Sequence, residues 1–342
     1  MPQKSLLGKN LIELQHVVSE LKMPKFTAKQ LAEWLYTKNI VDFAQITNIS
    51  KQNIEVLSQL FEVGRQKYEV VTKSTDGTKK YLFKTENGFI EAVYMPEKER
   101  NTLCVSCQVG CKMGCDFCMT GKLGFSGNLS AGEIINQVLS IENAPSLTNI
   151  VFMGMGEPFD NTANVLKAIE ILTSDWGFAW SPKRITVSTV GLMQGMKEFL
   201  EQTTCHLAVS LHNPFSDERA TMIPAEKAFG IEKIVAELRN YDFAHQRRVS
   251  FEYIVFDGIN DTQRHATAMV KLLKGSQCRV NLIKFHSVET LQYKSPNLQK
   301  MEWFRDYLSE NHIITTIRRS RGEDIAAACG QLKAERTMNK AQ

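Results

Sequence analysis

The chain has 342 residues, 43% hydrophobic and 23% charged, and its 41 basic against 37 acidic side chains leave a net charge of +4. So much apolar material excludes a disordered, collagen-like or disulfide-scaffold protein, and the length predicts two domains or one large barrel with an addition. The nearly balanced charge permits a nucleic-acid partner without demanding one.

Residues 1–66 read as a helical N-terminal domain. Met1 to Ser5 carry no apolar core of signal-peptide length, and no later run approaches the ~18 apolar residues of a membrane span. A cytoplasmic protein without membrane contact is therefore expected. Leu11, Leu14, Val17, Val18 and Leu21 recur at helical spacing until Pro24. Thr27 with Gln30 predicts a capping box for a second helix bearing Leu31, Trp34 and Leu35, and a third begins near Ser50. Lys22, Lys25, Lys29 and Lys38 read as a solvated face. Residues 67–100 then predict a β linker of three strands, because Asp76-Gly77 and Asn87-Gly88 are hairpin turns that tolerate positive φ.

From 101 to 335 strand-like and helix-like segments alternate, leaving 336–342 as a tail. Strands are expected near 103–106, 150–153, 184–188, 206–211, 249–255, 280–285 and 313–317, with helices between them. About six βα units imply a parallel sheet. They are too few for a closed eight-stranded barrel, so the predicted fold is α/β, an open partial (βα)6 barrel with ligands at the C-terminal ends of its strands.

Cysteine is unevenly spread. Cys104, Cys107, Cys111, Cys115 and Cys118 fall within fifteen residues, whereas Cys205, Cys278 and Cys329 stand apart. Such crowding in a long chain points to a metal site. Cys104-x2-Cys107 with Cys115-x2-Cys118 would suit a structural zinc. Cys111-x3-Cys115-x2-Cys118 would instead hold a 4Fe–4S cluster and leave one iron open. A zinc knuckle belongs on short hairpins, whereas this cluster follows a strand and opens the βα alternation.

Cys111-x3-Cys115-x2-Cys118, with Phe117 before the last cysteine and Gly156-Glu157-Pro158 after the next strand, resembles the radical S-adenosylmethionine (SAM) superfamily. Thr102 to Ser106, Gly121 to Phe125, Met153 to Pro158, Ser210-Leu211-His212 and Ala328 to Leu332 narrow the resemblance to the RlmN/Cfr family of RNA methyltransferases, nearer its RlmN branch. The resemblance implies a 4Fe–4S cluster on Cys111, Cys115 and Cys118, two equivalents of SAM per turnover, and methylation of adenosine C2 in 23S rRNA and, in some members, tRNA. It implies that Cys329 carries the methyl group, that Cys104 resolves an RNA adduct through a Cys104–Cys329 disulfide, and that Glu91 accepts a proton. It further assigns Gly156, Glu157, Ser188, Ser210, Leu211, His212 and His286 to SAM, although His286 stands where the family usually has asparagine. Arg318, Arg319 and Arg321 are candidates for gripping RNA phosphates, and the helical domain for contacting RNA. A reducing protein such as flavodoxin and a monomeric enzyme are also expected. Cfr-type C8 methylation and a non-catalytic, zinc-stapled RNA-binding protein are the alternatives. Cys107, Cys205 and Cys278 have no assigned chemistry.

Overall fold

The computed structural model describes residues 4–243, 247–287, 291–332 and 334, so the 336–342 tail lies outside the described residues. Three helices lead: α1 (Leu11–Glu20), α2 (Thr27–Ala32) and α3 (Lys51–Leu60). Asn10 and Glu13 form a reciprocal capping box on α1, and the Ser50 side chain caps α3. The capping box expected at Thr27 is not formed. Thr27 is the first helical residue and is buried, Phe26 occupies the cap position, and no side chain caps the helix. This domain is not an independent unit. Leu14, Leu31, Leu35 and Tyr36 belong to the same hydrophobic core as the barrel helices. Tyr36 packs edge-on against Trp176 with ring centroids 6.0 Å apart, and Lys167 bonds Glu13 at 2.6 Å.

One ten-stranded sheet forms the centre. The hairpin strands β1 (Val70–Lys73), β2 (Lys79–Thr85) and β3 (Gly88–Pro96) run antiparallel. Then follow β4 (Asn101–Cys104), β5 (Asn149–Phe152), β6 (Ile185–Thr189), β7 (His206–Ser210), β8 (Val249–Val255), β9 (Cys278–Lys284) and β10 (Ile314–Arg318), all parallel. Because β3 pairs with β4 in the register Val93↔Cys104, the expected linker is an extension of the central sheet. Seven parallel strands joined by six crossovers make the open α/β barrel that the alternation predicted, with β10 at one edge and β1 at the other.

The crossovers carry α4 (Ala131–Ser140), α5 (Thr162–Thr173), α6 (Met193–Gln202), α7 (Ser216–Met222), α8 (Ile231–Leu238), α9 (Gln263–Leu273) and α10 (Leu298–Glu310). Ser130 and Glu133 form a capping box on α4. The period of two along each strand sorts side chains between the faces. On β8, Phe251 and Tyr253 join the core with the helices, Tyr253 stacking on Phe304 of α10 at 5.4 Å. Ser250, Glu252 and Ile254 face the barrel interior. No helix among the described residues is long and apolar enough to cross a membrane.

A buried guanidinium fixes the C-terminal ends of the middle strands. Arg219 of α7 is fully buried, pairs with Glu226, and donates to Val190 O at 3.0 Å, Ser210 O at 2.6 Å and Leu211 O at 2.9 Å. Glu226 in turn accepts from Ser216 Oγ and from the first backbone amide of α8. Arg219→Met strands a buried carboxylate and should lower stability by about 3–5 kcal/mol. Urea denaturation followed by circular dichroism checks this, and adding Glu226→Leu should recover part of the loss. An unchanged midpoint in the single variant would contradict the role.

Candidate active site

The C-terminal ends of the parallel strands enclose a cavity of about 170 Å³. Its wall includes Cys111, Cys115 and Cys118 from the loop after β4, Cys104 from β4 itself, and Gly156 and Glu157 after β5. Ser188, Ser210 and His212 follow from β6 and β7, and Cys329 comes from the C-terminal segment. Residues more than two hundred positions apart are thus brought together, as the sequence predicted for ten of its thirteen site positions.

The cysteine loop is wound by backbone bonds. Cys111 N donates to Gly124 O at 2.8 Å and Cys118 N to Cys115 O at 3.1 Å. Gly110, at φ +76°, permits the first turn, since a Cβ there would lie 1.8 Å from Gly124 O. Burial raises the pKa of all three thiols, Cys111 to about 12; Cys118 raises Cys111 further, Cys118 and Cys111 raise Cys115, and Cys329 raises Cys118. Three buried, protonated thiols on one loop form a donor set that a cationic centre would deprotonate and occupy. The residues present therefore fit an iron–sulfur cluster held by three protein ligands. Among the described residues no three His, Cys, Asp or Glu side chains are placed to hold a single metal ion. The zinc set is not assembled, because Cys107 lies off the cavity wall and its thiol donates to Met155 O at 3.6 Å.

Glu157 is almost wholly buried. Its Oε1 accepts from Thr189 Oγ1 at 2.7 Å and Phe159 N at 3.1 Å, and its Oε2 from Val190 N at 2.9 Å. Each carboxylate oxygen has two acceptor positions, so Oε2 keeps one for a ligand such as an ammonium group. Burial pushes its pKa up to about 7, and the three donors oppose that rise. Gly156 has φ +103°, and a Cβ there would stand 2.6 Å from Gln108 Cβ. Gln108 Oε1 in turn accepts from Glu157 N at 2.9 Å. His212 Nδ1 accepts from Ile254 N at 2.9 Å, which leaves the ring proton on Nε2. Burial, assisted by Arg219, pushes its pKa down to about 3, so it remains a neutral donor. Its ring meets that of Phe117 edge-on at 5.1 Å.

The segment bearing Cys329 is strapped across the cavity. Met119 N donates to Gly330 O at 2.7 Å and Thr120 Oγ1 to Leu332 O at 2.7 Å, joining it to the cysteine loop. Lys80 Nζ reaches Ala326 O at 3.3 Å and Glu91 Oε1 at 3.1 Å, while Ala334 N donates to Glu91 Oε2 at 3.1 Å. Cys329 is exposed and Cys104 buried, and both are free thiols. Burial, reinforced by Cys329, pushes Cys104 up to about 12, against the opposing pull of Arg318.

Three predicted positions fall elsewhere. Glu91 is absent from the cavity wall, its carboxylate being engaged behind the strap by Lys80 and Ala334 N. His286 sits between Ser320 Oγ at 2.6 Å and Glu323 at 3.3 Å, and Leu211 turns into the core. Thr189 and Arg219 were missed, since their partners come from other strands and no local pattern marks them.

Residues 105–269 match the family model described as the radical SAM superfamily, and residues 4–63 that of the ribosomal RNA large subunit methyltransferase N-terminal domain. The chain is similar to the probable dual-specificity RNA methyltransferase RlmN of Phocaeicola vulgatus, at 54% identity over 97% of this chain and 95% of that one. It is 42% identical to the dual-specificity RNA methyltransferase RlmN of Campylobacter hominis over 98% of this chain and 99% of the other. The crystal structure of a radical SAM methyltransferase from Sphaerobacter thermophilus covers 97% of this chain and 100% of its own, with TM-score 0.91 and 38% identity.

Alanine at Cys111, Cys115 or Cys118 should each abolish iron and sulfide retention after anaerobic reconstitution, whereas Cys107→Ala should retain both. Stoichiometric iron in Cys115→Ala would contradict the ligand set.

Proposed function

The chain belongs to the RlmN family of radical SAM methyltransferases, and on that premise we propose that it methylates C2 of an adenosine in 23S rRNA and, as a second substrate, in tRNA. The single observation that carries the reading is the convergence of Cys104 and Cys329 on the cavity that also holds the three-cysteine loop. A purely small-molecule radical enzyme has no need of that second pair of thiols.

Cys111, Cys115 and Cys118 would hold the 4Fe–4S cluster, and Gly156, Glu157, Ser188, Ser210 and His212 would hold SAM. Together these cofactors supply the electron, the methyl group and the hydrogen-abstracting radical. The protein's own part is positioning and proton control. Cys329, exposed on its strap, accepts the methyl group on sulfur and presents that carbon to the ring. Cys104, buried on β4, resolves the bond between Cys329 and the product by forming a disulfide with it. Burial works against this step, because only the thiolate is a nucleophile. Arg318 partly offsets the cost by favouring the Cys104 anion. A reducing protein such as flavodoxin would supply the electron that the cluster relays, a thiol reductant would return the disulfide to thiols, and RNA substrates fit a cytoplasmic enzyme.

Mass spectrometry of rRNA and tRNA from cells lacking the protein tests the activity. Loss of 2-methyladenosine is expected, and unchanged levels, or loss of 8-methyladenosine instead, would refute it. Cys329→Ala should abolish methyl transfer while keeping the cluster. Cys104→Ala should accumulate RNA-linked protein, seen as RNase-sensitive mass. Arg318→Met removes the charge that lowers the Cys104 pKa, so adduct should accumulate at neutral pH and its release should recover as pH rises. A pH-independent release rate would contradict that role.

A further inference from the structure

Below the cofactor end of the barrel lies a second opening of about 330 Å³, at the N-terminal ends of the strands. Arg100, Arg248, Arg279, Arg318, Arg319 and Arg321 line it. Arg321 faces Asp76 and Glu97, but among the described residues Arg100, Arg248, Arg279 and Arg319 make no ion pair with a carboxylate. His206, within the same opening, is depressed to about 4, first by burial and then by Arg248, Lys183, Arg100 and Arg279. Uncompensated positive charge thus accumulates there, which is the electrostatic footprint of a phosphate backbone.

The two cavities share a wall of four residues: Met95, Met153, Glu252 and Arg318. Glu252 on β8 is only 3% exposed. Its Oε1 accepts from Ser250 Oγ at 2.9 Å and Asn281 Nδ2 at 2.7 Å, and Thr316 Oγ1 fixes that amide by donating to Asn281 Oδ1 at 2.9 Å. No described group donates to Oε2. A buried acceptor without a donor costs free energy until a ligand supplies one. The ligand must reach Glu252 where the thiol-lined cavity meets the arginine-lined opening. Glu157, near the cysteine loop, already offers an acceptor position for the ammonium of SAM.

We infer that Glu252 reads the exocyclic amino group of the target adenine, whose nucleotide enters the barrel through the arginine-lined opening. The inference rests on the reading of the chain as an adenosine-modifying enzyme. A carboxylate oxygen accepts from the adenine amino group and repels the carbonyl oxygen that hypoxanthine or guanine carries in its place. Selection of adenine and placement of its ring beside Cys104 and Cys329 then follow from one contact.

The test is binding of a stem–loop RNA carrying adenosine or inosine at the modified position to the reconstituted holoenzyme. Wild type should bind the inosine RNA at least about tenfold more weakly, the scale of one unsatisfied buried group. In Glu252→Gln, Ser250 and Asn281 hold the new carbonyl, so the amide NH₂ faces the cavity where Oε2 stood. The adenosine preference should vanish or reverse. A preference unchanged from wild type, no preference in wild type, or loss of bound iron in Glu252→Gln would overturn the inference, the last by assigning the side chain to the cofactor. Arg248→Gln with Arg279→Gln should weaken both RNAs equally and flatten the salt dependence. Unchanged affinity would overturn the entry route. Failure of the underlying reading shows separately, as wild-type holoenzyme that leaves no methyl group on an adenosine RNA it binds.

Discussion

The site depends first on a charge buried where no water reaches it. Arg219 binds three backbone carbonyls after β6 and β7 and the Glu226 carboxylate. Chains leaving adjacent parallel strands would otherwise diverge into separate crossovers with their carbonyls unsatisfied. One planar guanidinium, with five donors in a fixed fork, gathers them. Val190 and Ser210 are thereby held at the rim, and Val190 N is one of the donors that aim Glu157. The electrostatics extend further, since the same cation helps keep His212 neutral and opposes the rise in the Cys115 pKa. A neutral substitute could fill the volume but could not bind the three carbonyls and Glu226 together.

The second constraint is the strap. Cys329 reaches the cavity on a segment whose apolar contacts are few and small, chiefly Ala327, Ala328 and Leu332. Hydrogen bonding supplements this packing. The hairpin grips one end, through Ser74, Thr75 and Asp76 on Asp324 and Gly322 and through Lys80 on Ala326, while Glu91 holds the other end at Ala334. The cysteine loop holds the middle, at Gly330 and Leu332. Antiparallel continuation of the sheet into β3, β2 and β1 thus acquires a purpose, because it carries these groups to the strap. A segment tied through polar contacts opens more readily than one packed into a core. Such freedom would suit the role proposed for Cys329, which is to accept a group, deliver it and then meet Cys104.

Most of the fold was legible because it is written in periodicity. Strand β8 coincides with the expected 249–255, and helix α8 falls between two expected strands, where apolar spacing is regular. Thr27 misled because its sequence context suits a cap while its burial makes it part of the core. At the site, residues in short local motifs, namely the three cysteines, Gly156-Glu157, Ser210 and His212, line the cavity, while Leu211 between the last two turns into the core. Those whose role depends on distant partners did not. Glu91 was placed by Lys80 and Ala334, and His286 by Ser320 and Glu323, none of which a local pattern could reveal. Glu252 did leave a signal that went unread, a charged residue inside the apolar strand Val249–Val255. A carboxylate in the middle of a central parallel strand cannot reach solvent along the sheet, so it must find a partner in the barrel or wait for one.

The two thiols differ in the way the tasks proposed for them require. Cys329 is exposed and Cys104 is held at the end of a central strand, where burial and the Cys329 sulfur both disfavour its anion. In the proposed cycle a Cys104 thiolate formed early would compete with Cys329 as the nucleophile for the methyl group. Keeping Cys104 protonated until substrate occupies the cavity would protect the proposed order of events. Arg318 stands at the junction of both cavities, favoured as a cation first by Cys329 and then by Glu252 and Cys104. A ligand entering from the arginine-lined side must displace or reorganise the contacts around this guanidinium. On the proposed reading, the charge that favours the Cys104 anion is thus coupled, through Arg318, to occupancy of the opening proposed for RNA entry.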